Sequence, residues 1–302
     1  MNPWKKPPFL QPGDTIQVIA PSGALKEFTA LEKGLEIWRS QGYQVELGNQ
    51  WNAHYGYLGG TDQQRRDALL QAWKNPEVKA IICTRGGYGS ARLLENGDWE
   101  AIFAEFPKWL VGFSDITGLL WNLAKVGISS LHGPVLTTLA QEPDWSLQRL
   151  FNYLQGYPLD SLQGQGWGGG QVKGRLLPAN LTVGTHLLGT PLQPSLEGVI
   201  LALEDVGEVP YRIDRQLTQW RLMGAFRGVK GIALGRFSRC DRPSESSRWT
   251  VEDVLRDRLG DLGIPVVSEL PFGHDGVNAC LPVGIEVQLD GDQGCLEFIT
   301  EC

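Results

Sequence analysis

The sequence predicts an α/β fold in two domains: an N-terminal parallel, Rossmann-like sheet that carries a candidate nucleophile turn, then a C-terminal β-rich mixed α/β domain. Three observations predict it. Short apolar runs alternate with helical repeats through the first half. The glycine-rich stretch GYPLDSLQGQGWGGG, 156–170, breaks that rhythm. Beyond it, short apolar runs crowd together with fewer helical stretches. A chain of 302 residues suits one large or two medium domains. The expected division is a first domain over 1–155, a linker or mobile loop over 156–170, and a second domain over 171–302.

TIQVIA, 15–20, follows the turn Pro12-Gly13-Asp14 and is β-branched and apolar, so it predicts a buried strand. LEKGLEIWRSQG places Leu31, Leu35 and Trp38 at helical spacing and stops at Gly42, a suitable C-cap. YQVEL, 43–47, is a second strand; 62–73 is a second helix, with Leu69, Leu70 and Trp73 among charges; VKAIICT, 78–84, is a third strand. KWLVGF, 108–113, then DITGLLWNLAKVG, then ISSLHGP, 128–134, continue the rhythm as strand, helix, and short strand with turn. Strands alternating with helices imply parallel crossovers, whose ligands lie outside the carboxyl ends of the strands. In the second half, GVILALED (198–205), GVKGIALG (228–235) and IPVVSE (264–269) are strands, 211–222 and 251–259 are helices, and IEVQLD with GCLEFI is a hairpin around Gly291-Asp292-Gln293-Gly294.

Composition excludes several classes. With 27 basic against 34 acidic residues the net charge is −7, so no basic stripe for nucleic acid is expected. No run approaches the ~18 apolar residues of a membrane span, and the N-terminus lacks an apolar core after its lysines. The five cysteines, Cys83, Cys240, Cys280, Cys295 and Cys302, form no CxxC pair, and their odd number fits reduced thiols in a cytoplasm. Cys83 reads as a small hydrophobe in its strand.

Three strand ends are chemically unusual: TRGGYG (84–89), FSD (113–115) and LHGP (131–134). In VGFSD, Ser114 is either the nucleophile of a sharp strand-to-helix turn or, with Asp115, a plain helix cap; Ile116 stands where G-x-S-x-G would have glycine. A serine nucleophile needs a base. Of the four histidines, His54 reads as solvated, His132 as a structural residue near a strand end, His186 as packing in a helical segment, and His274, between Gly273 and Gly276, as a loop imidazole able to approach a ligand. Glu204 and Asp205 close the apolar run LALED before a glycine turn, as cleft acids, as a solvated turn or as an N-cap of the helix that begins at YRIDRQLTQW. Gly86 and Gly87 can offer backbone N–H groups to an anion, and Arg85 can grip a carboxylate with two hydrogen bonds. After the first strand there is only Ala20-Pro21-Ser22-Gly23, which weakens any dinucleotide role.

Taken in order, TIQVIAPSG, TRGGYG, VGFSDITGLL, LHGP, LEDVGEVPYRIDRQLTQW and PFGHDG resemble the LD-carboxypeptidase family of serine peptidases, which includes the microcin C immunity proteins; the resemblance runs from about residue 13 to about 290. It implies a Ser-His-Glu triad of Ser114, His274 and Glu204, brought together from the two domains. It also implies an oxyanion hole at the backbone N–H groups of Asp115 and Gly87, and a substrate carboxylate met at Arg85 and Gly86. Cofactor and metal are not required. The implied activity is a cytoplasmic, homodimeric hydrolase that releases D-alanine from murein tetrapeptide. The alternatives are cleavage of microcin-like aminoacyl adenylates, or a non-catalytic carboxylate-binding protein in which Ser114 is only a cap. Ala179 stands before Asn180 where the family has glycine, so Asn180 is expected near the substrate in an altered setting. Trp167, in the glycine-rich stretch, is either a stacking residue for an aromatic substrate or a surface tryptophan.

Overall fold

Val78–Cys83 and Trp109–Gly112 are buried along nearly their whole length, as strands covered on both faces must be. They belong to a computed structural model that describes residues 4–95, 99–241 and 249–299. In chain order the elements begin β1 (Thr15–Ile19), α1 (Phe28–Ser40), β2 (Gln44–Leu47), α2 (Asp62–Lys74), β3 (Val78–Cys83), α3 (Trp99–Glu105), β4 (Trp109–Gly112), α4 (Thr117–Lys125), β5 (Leu131–His132) and α5 (Asp144–Leu154). They continue β6 (Leu162–Gln163), β7 (Gln165–Gly166), β8 (Gln171–Asn180), α6 (Leu181–Leu187), β9 (Val199–Val206), α7 (Pro210–Leu222), β10 (Gly231–Ser238), α8 (Val251–Leu259), β11 (Val266–Ser268), β12 (Leu281–Pro282), β13 (Glu286–Asp290) and β14 (Cys295–Phe298). Two compact units result, one of Met1–Pro158 with Ala279–Gly284, the other of Leu159–Asn278 with Ile285–Cys302.

In the first unit the strands lie in the order β2-β1-β3-β4-β5, all parallel, with β12 antiparallel beyond β5. Right-handed crossovers put α1 on one face and α2 to α4 on the other. Trp38 of α1 meets Phe151 of α5 edge-on at 4.9 Å, and Trp73 of α2 meets Phe103 of α3 at 4.6 Å. Each aromatic pair adds ~1 kcal/mol to the area it buries. Thr61 starts α2 with a reciprocal cap, accepting from Gln64 N while Gln64 Oε1 accepts from Thr61 N. The strand order reverses between β1 and β3, so the turns after those strands flank the crevice where such sheets bind ligands.

The second unit is an eight-stranded sheet, β6-β14-β13-β8-β9-β10-β11-β7, with β8 to β11 parallel and the remaining pairings antiparallel. The hairpin β13–β14 pairs Asp290 with Cys295 across the expected glycine turn. The stretch expected as a linker is instead structural. Its β6 pairs with β14 and its β7 with β11, and only Gly164 lies between them, so the two ends of the strand order meet and the sheet curls towards closure. Glycine is required there: a Cβ on Gly164 would stand 2.2 Å from the Ser268 carbonyl oxygen, and one on Gly166 2.1 Å from that of Gly291. Among the described residues no helix is long and apolar enough to cross a membrane. Cys83, Cys240 and Cys280 are buried free thiols, with burial pushing Cys280 up to about 11; Cys302 lies outside the described residues.

Candidate active site

In the first unit, β4 delivers the chain to a sharp turn. Phe113 is extended, Ser114 has φ 61°, and residues 114–116 form a short 3-10 turn before α4. A positive φ is uncommon for a residue with a Cβ and costs of order 1–3 kcal/mol, so the surroundings must impose it. Neither the 3-10 turn nor α4 is closed by a side-chain cap, so Ser114 and Asp115 do not act as the helix caps the local sequence allowed. Gly112 is needed two residues earlier, because a Cβ there would lie 3.0 Å from two carbons of Ile116. The serine is half-buried beside the TRGGYG turn: a Cβ on Gly86 would lie 2.9 Å from Ser114 Cβ and 3.0 Å from its Oγ. Gly87, exposed, has φ 122°.

Asp115 ties the strand ends together. Its carboxylate accepts from Ser22 Oγ at 2.5 Å and from the Ser90 N–H at 2.8 Å, while its carbonyl accepts from Ser90 Oγ. The fully buried Arg65 donates through Nη1 to the carbonyls of Pro21 at 2.6 Å and Gly89 at 2.7 Å, clamping the turns after β1 and β3. Sequence reasoning missed Ser22, Ser90 and Arg65; an arginine in a charged helix carries no local sign that it will be buried. Arg85 is half-buried, donates to the Ala24 carbonyl at 3.1 Å and pairs with Glu27 at 3.5 Å. It therefore stands in the glycine turn but already has an acidic partner.

In the second unit, His274 Nδ1 lies 2.7 Å from Glu204 Oε2, with the glutamate side chain fully buried and the histidine 17 % exposed. The strand end β9 aims Glu204, and Gly273 lets the loop come down on it: at φ 114°, a Cβ there would meet Glu204 Cβ at 3.2 Å. The His274 carbonyl accepts from Arg236 Nε and Ser238 Oγ, which fixes the loop. A carboxylate on Nδ1 selects the tautomer that makes Nε2 the proton acceptor.

Asn180, expected to touch substrate, stands behind this pair. Its Nδ2 donates to Glu204 Oε1 at 3.2 Å and to Asp205 Oδ1 at 3.1 Å, while its Oδ1 caps α6 by accepting from Val183 N. Asp205, whose sequence reading stopped at a strand-end acid, is buried, and burial aided by neighbouring Glu204 pushes its carboxyl up to about 6 against its hydrogen bonds. Trp167 directly follows β7, a strand three places from β9 in the sheet; its Nε1 donates to Ser268 Oγ and its ring lies 4.5 Å under Arg256. Within its unit it is thus not gathered to the Glu204–His274 pair. His186 is exposed rather than packed, because α6 turns that position outward; His132 is fully buried at 5.9 Å from the Phe113 ring, and His54 is exposed. Among the described residues no group of three or more His, Cys, Asp or Glu is arranged to hold a metal ion.

Comparison with known proteins follows the same division. Residues 16–133 match the model of the LD-carboxypeptidase N-terminal domain, and 173–289 that of the LD-carboxypeptidase C-terminal domain. A candidate carboxypeptidase of Synechocystis is 61% identical over 290 residues, covering 96% of both chains. The murein tetrapeptide carboxypeptidase of Pseudomonas aeruginosa is 34% identical over 295 residues, covering 92% of this chain and 94% of its own. The crystal structure of muramoyltetrapeptide carboxypeptidase from Oxalobacter formigenes superposes with a TM-score of 0.84 at 31% identity, over 93% of this chain and 97% of that one.

Proposed function

This chain belongs to the LD-carboxypeptidase family, and from that premise we propose that it hydrolyses the L,D-amide holding the terminal D-alanine of murein tetrapeptide, with Ser114 as nucleophile, His274 as general base and Glu204 as the acid that orients it. The observation that carries the reading is the left-handed backbone of Ser114 on a strand-to-helix turn packed against Gly86, a conformation whose cost calls for a function. The Glu204–His274 hydrogen bond at 2.7 Å supports the assignment of the base.

In the first step Ser114 Oγ attacks the amide carbonyl carbon as His274 Nε2 takes the hydroxyl proton, and Glu204 stabilises the imidazolium. The negative charge that develops on the carbonyl oxygen is met by the N–H groups of Asp115 and Gly87, typically ~3 kcal/mol for each donor. Collapse of the tetrahedral intermediate breaks the C–N bond, and the imidazolium gives its proton to the departing D-alanine amine. Water, deprotonated by the same histidine, then hydrolyses the ester and restores Ser114. Arg85 and Gly86 take the carboxylate of D-alanine, for which Arg85 exchanges its contact with exposed Glu27. No step needs a metal ion.

The reading includes a cytoplasmic homodimer; the buried free thiols support the reducing compartment, and sedimentation equilibrium tests the dimer. Incubation with murein tetrapeptide, with products identified by mass spectrometry, tests the activity. Tripeptide and free D-alanine are expected. Cleavage of an aminoacyl sulfamoyl adenylate with the tetrapeptide left intact would overturn the murein substrate.

A further inference from the structure

Behind the Glu204–His274 pair lies a second carboxylate that takes no direct part in the hydrolysis. Asp205 is 2% exposed and accepts four hydrogen bonds. Its Oδ1 takes those from Asn180 Nδ2 at 3.1 Å and its own neighbour Val206 N at 2.7 Å; its Oδ2 takes those from Thr182 N at 2.9 Å and Thr182 Oγ1 at 2.7 Å. The sense of each bond is fixed from outside. Thr182 Oγ1 accepts from Gln216 Nε2 at 2.9 Å, which leaves its single proton for Asp205. Asn180 Oδ1 accepts from Val183 N, which identifies the other end of its amide as the donor. The two protons of that NH2 group are therefore divided between Asp205 and Glu204, and the far oxygen of Glu204 faces His274 Nδ1.

We propose that Asp205 is a positioning residue for hydrolysis: its carboxylate orients the Asn180 amide, and Asn180 in turn holds the Glu204 carboxylate against His274. The proposal rests on the assignment of Glu204 and His274 as the orienting acid and the base. An acid in this place is electrostatically unfavourable, because it is desolvated and adjoins a second buried carboxylate; its ordinary range is displaced upward to about 6. A fold that needed only to fill the space would be better served by a neutral side chain. What a carboxylate adds is acceptor capacity alone. Four donors converge on it, and no proton of its own competes with them. Asparagine at the same position would turn an NH2 group towards either Asn180 Nδ2 or the two Thr182 donors. In the first case the Asn180 amide meets a donor and loses the partner that aims it at Glu204; in the second the two Thr182 donors lose their acceptor, and the side chain that orients Asn180 is no longer anchored.

The test is a double-mutant cycle in the intact protein, with steady-state kinetics on the tetrapeptide. Asp205→Asn is expected to lower kcat about 10- to 100-fold, the usual effect of losing an outer orienting partner, with KM nearly unchanged. In a Glu204→Gln background the same substitution is expected to cost nothing further, because its effect passes through Glu204. Thr182→Val, which removes one donor and leaves Asp205 in place, is expected to give a smaller loss of kcat and serves if Asp205→Asn does not fold. A normal loss in Glu204→Gln beside unchanged kcat in Asp205→Asn would overturn the proposal alone. So would unchanged kcat in Thr182→Val, or losses that simply multiply in the double variant. Full activity of Glu204→Gln would remove the assignment of the acid, and the proposal with it.

Discussion

The serine turn and the Glu204–His274 pair are held by different kinds of force. Around Ser114 the constraint is steric and lies in the backbone. A non-glycine residue at φ 61° lies against Gly86, where a Cβ would stand 2.9 Å from Ser114 Cβ, and follows Gly112, where a Cβ would crowd Ile116 at 3.0 Å. Around Glu204 the constraint is a hydrogen-bond network of side chains, from Gln216 through Thr182, Asp205 and Asn180 to the carboxylate. A steric site breaks when atoms are added. A network breaks when a donor and an acceptor are exchanged, even with no change of shape.

Substitutions at the two places sharpen that contrast. Removing the nucleophile has the largest expected effect: Ser114→Ala lowers kcat by about 10⁶ with folding little changed, measured by D-alanine release and circular dichroism. Relief of the left-handed strain is not part of that change, since alanine keeps a Cβ. Glu204→Gln preserves volume but sets an amide against His274 Nδ1 and Asn180, and kcat falls by about 10⁴. Gly86→Ala adds a single carbon 2.9 Å from Ser114 Cβ, displaces the turn, and lowers kcat by about 10². Activity at the parent level in Gly86→Ala would show that the serine turn is not sterically set.

Asp205 separates the two regimes through pH. Its carboxyl is raised from the ordinary 3.8 to about 6, so between those values the folded protein holds a proton that the unfolded chain has released. The parent therefore loses stability from this group as pH rises through that window, by up to ~3 kcal/mol. Asp205→Asn has no such group. Its stability relative to the parent is expected to rise from pH 4 to pH 7, as measured by denaturant unfolding at several pH values, while its kcat falls. A pH-independent difference would show that folding does not raise the Asp205 carboxyl. The smallest expected effect is that of a chelator, which leaves kcat unchanged; inhibition reversed by added zinc would show that a metal takes part.

Much of the fold could be read from the sequence because its signals are local. Strands β1 to β5 with α1, α2 and α4 between them, the β13–β14 hairpin and the span of α8 follow from periodicity and turn residues within a dozen positions, whereas the seven-residue α3 was not read. The strand-end motifs also revealed Ser114, Glu204 and His274 as candidates, since each stands beside a glycine turn. What the sequence hid depends on partners far along the chain. Arg65 is buried because two carbonyls, 44 and 24 residues away, need its donors. Asn180 was expected at the substrate, yet its amide is committed to acids 24 and 25 residues on. β6 and β7 are two residues each and too short for any period, so a composition rich in glycine predicted a linker where the chain in fact binds both sheet edges.

The short strand β12 has a consequence for how the polypeptide can mature. The sheet begun at residue 15 receives its last strand from residues 281 and 282, after the chain has built nearly all of the other unit. While the ribosome is still making that second unit, the first has every parallel strand it needs but keeps one border of β5 open, with Ser130 and His132 awaiting Val283 and Leu281. A fragment ending at residue 158 retains that open border permanently. It offers a ready template for pairing between copies, so removal of the second unit is expected to yield clumped rather than dispersed protein.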